Sequence, residues 1–301
     1  MNLDSNNSTI MKRSIIMNGP GRSKWQQEAK LMSSKAPIGV FDSGVGGLTV
    51  VKEIMRQIPG ETIVYFGDTA RLPYGSKSKE TIIKYTRQIV RFLMTKGVKA
   101  IVIACNTASA FALETVKAEI DIPIIGVVKP GAKVAAETTK NGYIGVIGTE
   151  GTIQSGIYNE FLSKTNPQVK VFGKACPLFV PLVEEGLIDD PITFEMARRY
   201  IADLLEQDID TLVLGCTHYP LIRKTIRKIV GDNVELVNPA YETAKSLKEV
   251  LLEKGLENDN TLSLDHRFYV SDGAEKFKRF ANTILPCEVL ETKDVNIENY
   301  S

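Results

Sequence analysis

The chain has 301 residues, 43% of them hydrophobic and 24% charged, with a formal net charge of +1. That length suggests about two domains with ample apolar material for a core, and the balanced charge gives no reason to expect nucleic acid or an anionic membrane surface. No stretch approaches the roughly 18 apolar residues of a membrane span. Four cysteines are too sparse for a disulfide framework, and none sits in a C-x-x-C, so free thiols in a reducing cytoplasm are expected.

Residues 1–35 read as a polar, flexible extension. Its apolar run, Ile15-Ile16-Met17, follows the basic pair Lys12-Arg13 but is too short for a signal-peptide core. It holds the single tryptophan, Trp25, which leaves a docking role open.

From Ala36 onward, strand and helix alternate. IGVF (38–41) leads through DSGVGG into the helical LTVVKEIMRQI, and TIVYFG (62–67) leads through a polar loop into a helix over about 78–96. AIVIA (100–104) runs through CNTAS into FALETVKAEI; PIIGVV (123–128) runs into a helix near Pro130. YIGVIG (143–148) precedes the helical TIQSGIYNEFL, and VKVFG (169–173), TLVLG (211–215) and VELVN (234–238) are each followed by a helix. HRFYV (266–270) and CEVL (287–290) are the last strands. The strands are apolar almost throughout, as strands covered on both faces are. The expected fold is α/β, with doubly wound parallel sheets and ligands at the carboxyl ends of the strands.

Three blocks repeat in order. IGVFDSGVGGLT (38–49) resembles IGVIGTEGTIQS (144–155), KAIVIACNTAS (99–109) resembles DTLVLGCTHYP (210–220), and IPIIGVV (122–128) is echoed by NVELVNP (233–239), at offsets of 106, 111 and 111. Loose self-similarity is common in parallel α/β chains. Matched corners, each a strand running into a cysteine and polar cap residues, favour two similar domains related by a pseudo-twofold, with the active site in the cleft between them. Residues 36–130 plus 240–301 would form the first domain and 131–239 the second; a plain split near residue 130 is the alternative.

Cys105 and Cys216 stand at those corners. Each follows an apolar strand and precedes helix-cap residues, Asn106-Thr107 and Thr217-His218. A helix start lowers a thiol pKa, and a downward shift would raise the roughly 3% of thiolate that an unperturbed thiol holds at pH 7. A lone cysteine is more often a small buried hydrophobe, the reading kept for Cys176 and Cys287, which lie outside such corners. Nucleophilic catalysis needs one thiol and a base. Two matched thiols suit a different task, inversion of an α-carbon, where one group removes a proton from one face and the other returns one to the opposite face.

Other residues carry weaker signals. The glycines of DSGVGG (42–47) fit an anion site or a tight turn. They do not match a dinucleotide fingerprint, whose third glycine would fall at Thr49, and no Walker lysine follows. Asp42, at the strand end, is placed to meet a substrate ammonium or to orient a thiol. Tyr74, Gly75 and Ser76 offer hydroxyls and backbone donors in a loop that could equally be a plain connection. Glu184-Glu185 would by itself read as a solvated pair. His218, two residues past Cys216, could join both cysteines on zinc, but no second close ligand spacing supports this.

FDSGVGGLT, YFGDTARLPYGSKS, IVIACNTASA, VIGTEGTI, ACPLFVPLVEEG and LVLGCTHYPLI occur in this order. Over about residues 36–290 the chain resembles the glutamate racemases of the cofactor-independent aspartate/glutamate racemase superfamily. The resemblance implies interconversion of L- and D-glutamate, supplying D-glutamate for peptidoglycan, without pyridoxal phosphate or metal. By it, Cys105 deprotonates D-glutamate beside Asp42, and Cys216 deprotonates L-glutamate assisted by Glu184 and His218. Asp42-Ser43, Tyr74-Gly75 with Ser76, Asn106-Thr107 and Thr217-His218 would bind substrate, with Thr149 and Thr152 nearby. It further implies a homodimer. The extension departs from the core pattern; some members carry one linked to activation by a peptidoglycan precursor, though no motif in 1–35 establishes that here. A non-catalytic ligand sensor on the same scaffold is the competing class.

Overall fold

The computed structural model describes residues 34–258 and 264–301. The extension expected over 1–35 therefore lies outside the described residues, apart from Ser34 and Lys35. Among the described residues ten strands run in chain order: β1 (Ile38–Asp42), β2 (Ile63–Gly67), β3 (Ala100–Ile103), β4 (Ile124–Gly126), β5 (Tyr143–Gly148), β6 (Lys170–Ala175), β7 (Thr211–Gly215), β8 (Glu235–Val237), β9 (Arg267–Val270) and β10 (Thr292–Asp294). They form a six-stranded sheet of order β10-β9-β2-β1-β3-β4 and a four-stranded sheet of order β6-β5-β7-β8. Every pairing is parallel, so the fold is α/β with two helix-flanked sheets.

The four strands β2-β1-β3-β4 and the four strands β6-β5-β7-β8 follow one connectivity. The repeated blocks fall on equivalent strands, β1 with β5, β3 with β7 and β4 with β8. Strands β9 and β10 extend the first sheet beyond this common plan.

Alternation within the strands explains why both faces are covered. Ile38 and Val40, Ile63 and Tyr65 enter one apolar cluster, while Phe41, Val64 and Phe66 enter the cluster on the opposite face. In the second sheet Ile147, Leu212 and Leu214 face one way, and Ile144, Val146 and Val213 the other. The helix Val128–Thr138, which leaves the first sheet, contributes Val128, Ala132 and Ala135 to the core of the second. The helix Pro239–Lys254 leaves the second and contributes Ala244, Leu247 and Leu251 to the core of the first.

Helix starts follow local chemistry. Ser78 accepts from the Thr81 N–H ahead of Lys79–Thr95, and Asn238 accepts from Ala240 with Pro239 at the first helical position. Several expected boundaries are corrected. The helix expected over TIQSGIYNEFL is two pieces, Glu150–Gln154 and Ile157–Thr165, broken at Gly156, whose φ of 66° lies in the left-handed region. Cys216 leads into a 3₁₀ turn, Tyr219–Ile222, and the α-helix begins only at Arg223. The strand expected at 287–290 is irregular, and the pairing falls instead on Thr292–Asp294.

At the amino ends of the strands, Lys99 Nζ lies 2.5 Å from Glu61 Oε2, both side chains almost wholly buried. Lys99 also donates to the Ser34 carbonyl, and Glu61 Oε1 accepts from Asn258 N at 2.9 Å. Removing one member of such a pair strands the other charge. Lys99→Met is expected to lower unfolding free energy by about 3 kcal/mol in urea titration, and Glu61→Leu/Lys99→Met by clearly less; equal losses would contradict this account.

Candidate active site

Because all strands are parallel, their carboxyl ends converge on one edge of each sheet. Asp42 ends β1 and Ser43 follows it, Cys105 to Thr107 follow β3, Thr149 and Thr152 follow β5, and Cys216 to His218 follow β7. Both thiols open onto one small cavity, lined also by Ser43, Tyr74, Gly75, Asn106, Thr107, Thr149, Thr217 and His218. Leu72, Pro73 and Val180 complete the wall. The space is about 20 Å³, room for one water molecule. A larger cavity of about 260 Å³ adjoins it, sharing Leu72, Pro73, Gly75, Thr149 and Val180 and adding Ser76, Glu150 and Glu184.

The two sheets grip each other reciprocally at these corners. Thr107, two residues past Cys105, has its Oγ1 2.9 Å from Thr149 Oγ1 and 3.2 Å from Thr152 Oγ1, at the start of the helix after β5. Thr217, beside Cys216, donates to Asp42 Oδ1 at 3.3 Å, and its carbonyl accepts from Thr49 Oγ1 at 3.0 Å in the segment after β1. Tyr158 donates to Asn106 Oδ1 at 2.7 Å. This approach leaves no room for a side chain at two glycines. A Cβ at Gly46 would overlap Thr217 Oγ1 and His218 Nδ1, and one at Gly75 would overlap Thr149.

Each thiol has its own surroundings. Ser43 Oγ is 3.7 Å from Cys105 Sγ. His218 Nδ1 is 3.9 Å from Cys216 Sγ, and Nε2 is 2.9 Å from Glu184 Oε1. A carboxylate, an imidazole and a thiol therefore stand in line. All four cysteines are free.

The model of the Asp/Glu/Hydantoin racemase family matches residues 38–247. The chain belongs to that family. It is thereby an isomerase of the racemase class. A curated glutamate racemase of Geobacter metallireducens is 48% identical over 261 residues, 87% of this chain and 97% of that protein. The solved glutamate racemase of Francisella tularensis in complex with D-glutamate superposes with a TM-score of 0.83 at 40% identity, covering 89% of this chain and all of that one. The Escherichia coli glutamate racemase, solved with L-glutamate and the activator UDP-MurNAc-ala, gives a TM-score of 0.73 at 28% identity, covering 86% of this chain and 97% of its own.

Electrostatics around the shared cavity run against one expectation. A helix start was expected to lower the Cys105 thiol. Burial instead pushes it up to about 12, the Asp42 charge adds to the rise, and the Ala108 N–H and Ser43 hydroxyl only partly oppose it. A terminal dipole cannot offset desolvation next to a carboxylate. Burial also raises the Asp42 carboxyl, against the His218 charge, the N–H groups of Gly44 and Gly47 and the Thr217 hydroxyl. For His218 burial works against the charged form, yet Cys216, Glu184 and Asp42 together raise the imidazolium to about 10.

Most residues picked from sequence meet at the cavity, with differences of rank. Asp42, Thr152 and Glu184 stand behind its lining and act on lining groups, and Ser76 faces the outer cavity. The Tyr74 hydroxyl donates to Asp68, so Tyr74 presents backbone and ring to the cavity. Thr49, Tyr158 and the apolar wall residues carried no signal in a single sequence, because their roles arise only where the two sheets meet.

No helix among the described residues is long and apolar enough to cross a membrane.

The His218 charge couples stability to pH. Its folded value of about 10 exceeds the ordinary 6.5, so its contribution is fully present below pH 6.5 and is lost as pH rises through about 10. The gap in melting temperature between the parent and His218→Asn is expected to be widest below about pH 6.5 and to close near pH 10 in circular-dichroism melts. A gap that stays constant across that range would refute the charged histidine.

Proposed function

We propose that the chain interconverts L- and D-glutamate by a two-base proton transfer between Cys105, Cys216 and the substrate α-carbon, with no pyridoxal phosphate and no metal in the route. The observation that carries this reading is the placement of two thiols, from equivalent corners of two sheets, on one shared cavity. The relatives named glutamate racemases support the choice of substrate.

In the direction from L to D, Cys216 starts as the thiolate, facing the His218 imidazolium, and Cys105 starts as the thiol. Cys216 takes the α-proton from one face while Cys105 delivers its own to the other. The elevated Cys105 pKa suits the donor. In the reverse direction Cys105 must be the base, and a substrate ammonium beside Asp42 would offset the carboxylate charge that adds to the effect of burial on the thiol. Ser43, Asn106, Thr107, Thr149, Thr152 and Thr217, with the backbone of Tyr74-Gly75 and Ser76 at the mouth, are assigned to substrate binding. A cavity of about 20 Å³ does not admit glutamate, so binding requires the walls to part toward the adjoining cavity. Residues 36–130 plus 240–301 and residues 131–239 are the proposed moving domains.

D-glutamate made this way would serve peptidoglycan synthesis, and hence cell wall and cell shape, in the cytoplasm. A homodimer is the proposed assembly. Activation by a peptidoglycan precursor through the extension, residues 1–35, is proposed by analogy with the activator held by the Escherichia coli protein.

Each turnover leaves the thiols in the opposite protonation state, so a proton must return before the next. The two enantiomers also have equal free energy. The ratio kcat/KM must therefore be the same in both directions for any variant, whichever thiol it disturbs, while the two kcat values are free to diverge.

Cys105→Ala and Cys216→Ala are each expected to lower racemisation by at least about 10³-fold, followed by optical rotation, with glutamate binding retained. Near-normal turnover in either variant would end the two-thiol reading. Glutamate bound by the unaltered chain without solvent deuterium entering the α-carbon would favour the sensor reading. Faster turnover of aspartate than of glutamate would reassign the substrate.

A further inference from the structure

The wall formed by Leu72 to Gly75 is held from behind. Both oxygens of the buried Asp68 carboxylate take Arg71 Nε, at 2.9 and 2.8 Å, and the Tyr74 hydroxyl donates to the same carboxylate. The Arg71 guanidinium lies 3.9 Å from the Tyr85 ring centroid, and that ring packs against Tyr74. Arg71 Nη1 then reaches Gln88 Oε1 at 2.6 Å and Glu298 Oε1 at 3.3 Å.

Glu298 belongs to a different part of the chain, the 3₁₀ turn Ile297–Tyr300. Its second oxygen accepts from Gln88 Nε2 at 3.0 Å, so one carboxylate spans Arg71 and the helix Lys79–Thr95. The turn itself is fastened independently. Ile297 is buried in the core, and the Tyr300 ring meets Phe92 edge-on at 5.3 Å. The Glu298 side chain is 57% exposed, so its loss should cost the fold little.

We propose that Glu298 is a positioning residue for the substrate wall: acting through Arg71 and Asp68, it sets where Tyr74 and Gly75 stand against the bound amino acid. This rests on the glutamate racemase reading above. The wall carries neither thiol and contacts the ligand in ground state and transition state alike. Loosening it weakens both to the same degree, which raises KM and spares kcat.

The test uses the full chain with Glu298→Ala and Glu298→Gln, assayed with L- and D-glutamate, with amide hydrogen exchange and melting temperature measured alongside. Glu298→Ala is expected to raise KM about two- to fivefold, by the same factor for both enantiomers, the size set by a partly exposed charge pair. Exchange should quicken in residues 69–76 and not in the rest of the fold, at unchanged melting temperature. Glu298→Gln keeps an acceptor for Arg71 and should lie close to the parent. Unchanged KM with unchanged exchange in 69–76 would overturn the proposal, as would a fall in kcat at constant KM or an exchange increase spread over the whole fold. If the unaltered chain does not turn over glutamate, the underlying reading fails; the exchange pattern of Glu298→Ala then decides on the brace by itself.

Discussion

The site depends on a reciprocal contact between two threonines and the opposite sheet. Thr107 is bound by Thr149 and Thr152, and Thr217 is bound by Asp42 and Thr49. Thr217 follows Cys216 directly and Thr107 lies two residues past Cys105, so holding the threonines steadies both cysteine corners. The equivalent strand order of the two sheets makes the grip mutual. The free polar groups of each strand-to-helix turn lie at the carboxyl edge of its sheet, where the other sheet's residues meet them. Gly46 and Gly75 let the surfaces come close enough for these short side chains to reach.

That same closeness makes the site expensive electrostatically. Asp42 and His218 are buried, and Glu184 is largely so. The charges are tolerable because each is hydrogen-bonded: Asp42 by the Gly44 N–H and the Thr217 hydroxyl, His218 by Glu184. The two thiols consequently sit in unlike fields, one beside a carboxylate and the other beside an imidazolium. Fold equivalence has placed the cysteines alike, and the flanking side chains have made them chemically different.

Much of this was legible in the sequence where a local rule sufficed. Apolar strands read as two-face-covered strands because both faces are buried, and the cysteine corners stood out because each marks the end of such a strand. Legibility ended where tertiary context took over. Asp294 and Lys293 lie on an edge strand, where charged residues are common, so the apolar CEVL drew the assignment instead. The helix start at Cys105 suggested a lowered thiol pKa, and burial beside Asp42 reversed the sign. Glu184 read as half of a solvated pair, since nothing in one sequence says that His218, 34 residues on, will receive it. The family resemblance supplied that partnership; periodicity and spacing did not.

Unlike fields do not conflict with the symmetry of the proposed reaction. Because the enantiomers are equally stable, the forward and reverse barriers measured from free enzyme and free substrate are identical, however unlike the two thiols are. Asymmetry is confined to the bound states and to the balance between the two protonation states of the free enzyme. Burial and the Asp42 carboxylate hold Cys105 in the thiol form, the form it takes in the state that accepts L-glutamate in the proposed scheme. The enzyme carrying the opposite state is then the rarer form, and D-glutamate must either wait for it or create it by bringing its ammonium to Asp42. The difference between the thiols thus biases which protonation state waits for substrate and how fast it is restored after each turnover, while the overall equilibrium stays at one to one.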